Sequence, residues 1–256
     1  MTDRLKKLED LVERLRGPDG CPWDREQELP DLRAYLLEEA HELAAAIDQG
    51  NRDEIRDELG DLLFHVVFVS KLLQSSNAFE LDLVIDRIHQ KMIDRHPHVF
   101  GEDSLSDSEQ VHRAWEERKA EHGRSALAGV PSTLPALLAT YRVSQKAAGV
   151  GFDWPDAASV LNKVKEELAE VDTALAQDLG VETIEQEVGD LLFATANLAR
   201  KLGFDPEAAL QRANLKFRRR FDAVESLLKE DERLSEKSLD ELEELWRRVK
   251  ESEGPK

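Results

Sequence analysis

The chain has 256 residues, with 35 Lys and Arg against 54 Asp and Glu, for a formal charge of −19. That length is enough for two cores, and the acidic balance argues against a nucleic-acid coat or adhesion to an anionic membrane, since phosphate groups would be repelled. A single cysteine excludes an intramolecular disulfide framework and a Cys-based zinc site; with no apolar run of signal-peptide or membrane length, it leads to the expectation of a cytoplasmic protein.

Apolar residues recur near the 3.6 period and nowhere in sustained alternation, which predicts an all-α fold. In chain order the predicted helices are 3–16, 31–49, 51–75, 80–95, 108–121, 132–147, 156–178, 181–202, 206–230 and 238–251. Asn51-x-x-Glu54, Ser106-x-x-Glu109 and Ser238-x-x-Glu241 read as capping boxes, and Asp205-Pro206 as an N-cap followed by proline at the first helical position. Cys21, followed by Pro22, reads as a structural residue in a turn. Pro97 argues for a turn with packed histidines at His96 and His98 rather than a helical metal-binding pair.

Gly123, Gly129, Pro131 and Pro135 interrupt the pattern, which divides the chain into a domain at 1–122, a linker at 123–135 and a domain at 136–256. The halves are copies. Glu58-Leu-Gly-Asp-Leu-Leu-Phe64 recurs as Glu187-Val-Gly-Asp-Leu-Leu-Phe193, and Glu38-Glu39-x-x-Glu42 recurs as Glu166-Glu167-x-x-Glu170. Lys91-x-x-x-Arg95 recurs as Lys216-x-x-x-Arg220. Trp23 and Trp154 precede the acidic motifs, and Trp115 and Trp246 close each half. This order identifies a tandem duplication.

Glu-x-x-Glu alone carries no information in so acidic a chain, where roughly eleven chance matches are expected. Its pairing with Glu-x-Gly-Asp across a short turn, twice, does. Positions i and i+3 share a helix face, so Glu39 and Glu42 project together, as do Glu58 and Asp61, and a short turn makes the two helices antiparallel neighbours. Two carboxylates about 4 Å apart repel by roughly 4 kcal/mol at an effective dielectric of 20, so convergence calls for a cation. An all-oxygen set suits Mg²⁺, Mn²⁺ or Ca²⁺. Gly60 and Gly189, inside predicted helices at a cost of about 1 kcal/mol each, suggest that something approaches closely there. The basic pairs Lys91/Arg95 and Lys216/Arg220 each lie on one face; they read either as anion contacts opposite a metal or as internal salt-bridge partners.

Gly20-Cys-Pro-Trp-Asp24, LLEEAHEL at 36–43, ELGDLLF at 58–64, RHPHVF at 95–100, VGFDW at 150–154, EVGDLLFATANLAR at 187–200 and the segment 216–221 together resemble a two-domain MazG nucleoside triphosphate pyrophosphohydrolase, over about residues 5 to 251. The resemblance implies a four-helix core per domain, homodimerisation, Mg²⁺ dependence with Mn²⁺ as a substitute, and hydrolysis of a nucleoside triphosphate, ATP included, to the monophosphate and pyrophosphate. By motif it implies Glu167, Glu170, Glu187 and Asp190 as metal ligands, with Glu39, Glu42, Glu58 and Asp61 as their first-half counterparts. Lys216 and Arg220 become phosphate contacts, with Lys91 and Arg95 as their counterparts, and Trp246 a nucleotide contact, although that ring equally suits packing of a closing helix.

The halves differ in charge. Lys163 stands one turn before Glu167, where the first half has Tyr35, and the 216–220 segment is more basic than 91–95. Stabilising a triphosphate is electrostatic work, so the second half is the expected principal site. No Ser-His-Asp set is present; the expected chemistry is attack of a metal-activated water on the α-phosphorus, with Glu166 as a base and Asn214 as a sugar or base contact. His65 follows Asp61 by four and has Ala194 as its counterpart. The competing reading is a helical scaffold whose acidic sites hold structural cations; a di-iron bundle lacks its Glu-x-x-His pairs.

Overall fold

The computed structural model describes residues 2–75, 79–101, 125–229 and 232–253, and every regular element among them is helical. The chain divides into two compact units, one within Met1–Ser104 and one within Leu105–Lys256. No helix among the described residues is long and apolar enough to cross a membrane. The predicted helix 108–121, its Ser106–Glu109 box and Trp115 lie outside the described residues.

The first unit contains α1 (Thr2–Arg16), α2 (Pro22–Glu26), α3 (Leu29–Gln49), α4 (Arg52–Ser75), α5 (Leu81–Arg95) and α6 (Pro97–Phe100). Its centre is α4, which packs against α1, α3 and α5. Val12, Leu32, Val67, Phe68 and Leu81 form the buried cluster, with Leu5, Leu8, Tyr35 and Phe64 against it. Helix α3 begins at Leu29, two residues earlier than expected, because Pro30 suits the first turn and Asp31 Oδ2 accepts from the Glu28 amide at 2.9 Å. It ends at Gly50, whose φ of +71° supplies the left-handed cap. Asn51 Oδ1 then accepts from the amides of Asp53 and Glu54 and starts α4, so α3 and α4 form the expected hairpin.

The second unit repeats this order with α7 (Ala136–Gly149), α8 (Ala157–Ala176), α9 (Val181–Lys201), α10 (Pro206–Ser226), a 3₁₀ turn at Leu234–Glu236 and α11 (Leu239–Ser252). Here α8 and α9 make the hairpin, α7 packs on α9 and α10, and α11 packs on α10. Asp156 caps α8 by accepting from the Ser159 amide at 2.7 Å, Asp205 caps α10 with Pro206 behind it, and Ser238 with Glu241 forms the expected box on α11. Asp153 takes ion pairs from Arg200 and Lys201, which tie the loop before α8 to the end of α9. Those two cations hold the Asp153 carboxyl below its ordinary value against the opposing effect of burial.

Two local expectations are corrected. Pro97 opens the one-turn helix α6 instead of preventing helix, because proline at the first helical position gives up an amide that has no helical partner there. The His96 and His98 rings do lie 5.6 Å apart. Pro22 does the same for α2, which makes Cys21 its N-cap residue.

Candidate metal and nucleotide site

In both hairpins the acidic motifs meet. Glu39 of α3 and Glu58 and Asp61 of α4 each offer an oxygen within 4.8 Å of the others, and so do Glu167 of α8 and Glu187 and Asp190 of α9. The i, i+3 spacing aligns each pair on its own helix, and the antiparallel hairpin brings the pairs face to face. The fourth carboxylate of each half stands beside the group of three. Glu42 stands beside Glu58, and Glu170 beside Glu167. Desolvation, and then the neighbouring Glu42, Asp61 and Glu39, raise the Glu58 carboxyl; the neighbouring Glu167 raises that of Glu170.

Such crowding of like charge suits a cation. Three carboxylate oxygens this close, open to solvent through exposed Asp61 and Asp190, form a hard-oxygen set of the kind that holds a divalent metal, so the residues present fit one.

The two halves set different groups against the same carboxylate. Lys163 Nζ sits 2.8 Å from Glu167 and 2.7 Å from Glu166, so both adjacent glutamates turn to one ammonium. The Glu167 side chain is 8% exposed, and the Lys163 bond holds its carboxyl below the usual value despite that burial. In the first half His65 Nε2 lies 3.5 Å from Glu39, whose side chain is 17% exposed. The His65 ring stacks on Tyr35 at 5.6 Å, and its Nδ1 is buried without a hydrogen-bond partner. Tyr35 and His65 thus stand where Lys163 and Ala194 stand in the second half.

Among the described residues a Cβ built on Gly60 or Gly189 meets nothing within 4 Å, so no packing contact within the chain accounts for either glycine. Close backbone approaches among the described residues occur at Gly20, where a Cβ would fall 2.2 Å from the Leu15 carbonyl oxygen, and at Gly101, where it would fall 2.8 Å from that of Pro97.

Arg220 of α10 is paired with Glu253, at 2.6 Å from Nη2 and 3.0 Å from Nε, and lies 6.0 Å from the centre of the Trp246 ring. Trp246 packs on Phe217 at 5.2 Å, joining α11 to α10. Lys216 and Asn214 are exposed on α10, and Lys216 lines a shallow depression of about 460 Å³ with Arg212 and Arg219. Lys91 is exposed and Arg95 half-buried on α5. The residue that sequence reasoning missed is Glu253. It stands outside the repeated motifs and belongs to the most abundant charge class, so no pattern marks it before the fold brings it to Arg219 and Arg220.

The duplicated hairpin with paired carboxylates defines a class, and comparison with known proteins agrees. The model of the MazG nucleotide pyrophosphohydrolase domain matches residues 27–100 and 156–224. The nucleoside triphosphate pyrophosphohydrolase of Escherichia coli K12 is 41% identical over 261 residues, covering 98% of each chain. The nucleoside triphosphate pyrophosphohydrolase/pyrophosphatase MazG of Thermotoga maritima is 41% identical over 251 residues, covering 96% of this chain and 95% of its own. The chain belongs to the MazG family and is an enzyme of its hydrolase class.

Proposed function

We propose that this enzyme hydrolyses a nucleoside triphosphate, ATP among the substrates, to the monophosphate and pyrophosphate, with Mg²⁺ held by Glu167, Glu170, Glu187 and Asp190 and with Mn²⁺ as a substitute. The observation that carries the reading is the three-carboxylate group on the α8–α9 hairpin with a lysine built against it. Bound Mg²⁺ would supply charge neutralisation of the triphosphate and a more acidic water. The chain's own residues do the rest. Lys163 gives up its hold on Glu167 to a phosphate oxygen, Glu166 takes the proton of the attacking water at its carboxylate, and Lys216 and Arg220 hold the leaving phosphates beside Trp246. Asn214 contacts the sugar or base.

The first-half group, Glu39, Glu42, Glu58 and Asp61 with Lys91 and Arg95, is the weaker or structural copy, in a domain at 1–122 joined by a linker at 123–135 to the catalytic domain at 136–256. The working form is a homodimer in the cytoplasm. Leu161, Leu168 and Leu175 repeat every seventh residue along α8 and are all exposed, as are Leu59 and Leu63 and their counterparts Val188 and Leu192. Apolar stripes at that spacing suit a second copy of the chain. The net charge of −19 disfavours a nucleic-acid or membrane partner.

The test is product analysis. Purified protein with each nucleoside triphosphate and Mg²⁺ should yield monophosphate and pyrophosphate. Diphosphate with inorganic phosphate would overturn this reading in favour of cleavage at the γ-phosphorus, and no turnover with any nucleotide would replace it with that of a cation-binding scaffold.

A further inference from the structure

Glu253 lies one residue beyond α11 and draws two arginines of α10 to one carboxylate. Its Oε1 accepts from Arg219 Nη2 at 3.0 Å, and its Oε2 accepts from Arg220 Nη2 at 2.6 Å and Nε at 3.0 Å. The guanidinium of Arg220 therefore binds the carboxylate through its Nε side, and Nη1 has no partner among the described residues. Its other boundary is the Trp246 ring, 6.0 Å away and itself fixed against Phe217. Arg220 is half-buried, with its side chain 16% exposed, whereas Arg219 is open.

A guanidinium has five donors in a rigid fork, so fixing one side fixes the direction of the rest. Two adjacent guanidiniums repel, and one carboxylate between them relieves that repulsion while leaving the cluster with one net positive charge. An arginine over an aromatic ring, aimed by a carboxylate and still net cationic with its neighbour, is prepared to take an anionic oxygen on Nη1.

We propose that Glu253 is a positioning residue for nucleotide binding: it aims Arg220 across Trp246 toward the substrate's phosphates and gathers Arg219 as a second cation. This rests on the reading of Arg220 as a phosphate contact.

The test is steady-state kinetics on the full-length enzyme with ATP and Mg²⁺. Glu253→Ala should raise KM about fivefold with kcat within about twofold, since binding and not chemistry is affected. Glu253→Gln, which still accepts hydrogen bonds, should fall between that variant and the wild type. Arg220→Ala should raise KM at least as much, and Glu253→Ala should cost clearly less on the Arg220→Ala background than on the wild type, because Glu253 acts mainly through that arginine and only secondarily through Arg219. The melting temperature of Glu253→Ala should stay close to wild type, as expected for partly exposed ion pairs. If Arg220→Ala raises KM while Glu253→Ala leaves it unchanged or lowers it, the positioning role is overturned and the phosphate reading stands. If Arg220→Ala itself leaves KM unchanged, the phosphate reading fails and the proposal with it. Equal KM effects that add in the double variant would overturn the coupling.

Discussion

The two hairpins carry the same three carboxylates at the same spacing, yet the glutamate on the first helix of each faces a different side chain. Glu167 is buried against Lys163, which comes from its own helix and is charged at every physiological pH. Glu39 is more open and faces His65, which comes from the opposite helix and is stacked on Tyr35. A lysine on a flexible stem can leave a carboxylate to a metal and move to a phosphate. An imidazole wedged by Tyr35 and Phe64 has far less freedom to do so. Duplication therefore preserved the acidic geometry while the two copies diverged in the group set against it, and the proposed difference between a catalytic and a weaker copy rests on that divergence.

The comparison breaks most sharply at the carboxylates. Glu167→Ala or Asp190→Ala should lower turnover by about 100-fold or more, whereas Glu39→Ala should cost less than about threefold, measured as kcat/KM for the same nucleotide. Equal losses would show that the halves share the work. Next comes the counter-charge itself. Lys163→Tyr, which writes the first-half residue into the second, should reduce kcat/KM about tenfold. Unchanged kinetics would show that the lysine only balances Glu167.

A smaller effect concerns the glycines. With no atom within 4 Å of an added Cβ, Gly60→Ala and Gly189→Ala should each stabilise the protein by up to about 1 kcal/mol, read from the urea midpoint. A fall in the midpoint would reveal that another molecule closes on that face in solution.

The smallest effect is in acid stability. The hydrogen bond from Arg220, and then that from Arg219, hold Glu253 down from 4.5 to about 2. A carboxyl lowered in the folded state binds its proton more weakly there than in the unfolded chain. Its stabilising contribution is complete above the unfolded value and is lost as pH falls through the folded one. Glu253→Gln should therefore lose less stability than wild type between pH 4.5 and 2, in paired thermal melts. Parallel acid curves would mean that the ion pair does not form in solution.

Most of the helical order was readable because its causes are local. Asp205-Pro206 and Ser238-x-x-Glu241 act within one turn, and the repeat at Glu58–Phe64 and Glu187–Phe193 needs no fold to be seen. Pro97 was misjudged because a proline stops a helix or starts one according to whether its neighbours continue downstream, and α6 runs for a single turn. The glycines are a different case. A helix-interior glycine signals an anomaly without saying what lies opposite it.

The sequence by itself determined the all-α class, the duplication, and the carboxylates that share a helix face, since spacing along a helix fixes direction. Only the tertiary structure decided which cation meets which carboxylate. Lys163 reaches Glu167 within one turn, but His65 reaches Glu39 across a hairpin, and Glu253 reaches Arg220 from 33 residues away. Contacts of that kind depend on how two helices are packed together, and no periodicity in one strand of sequence encodes that.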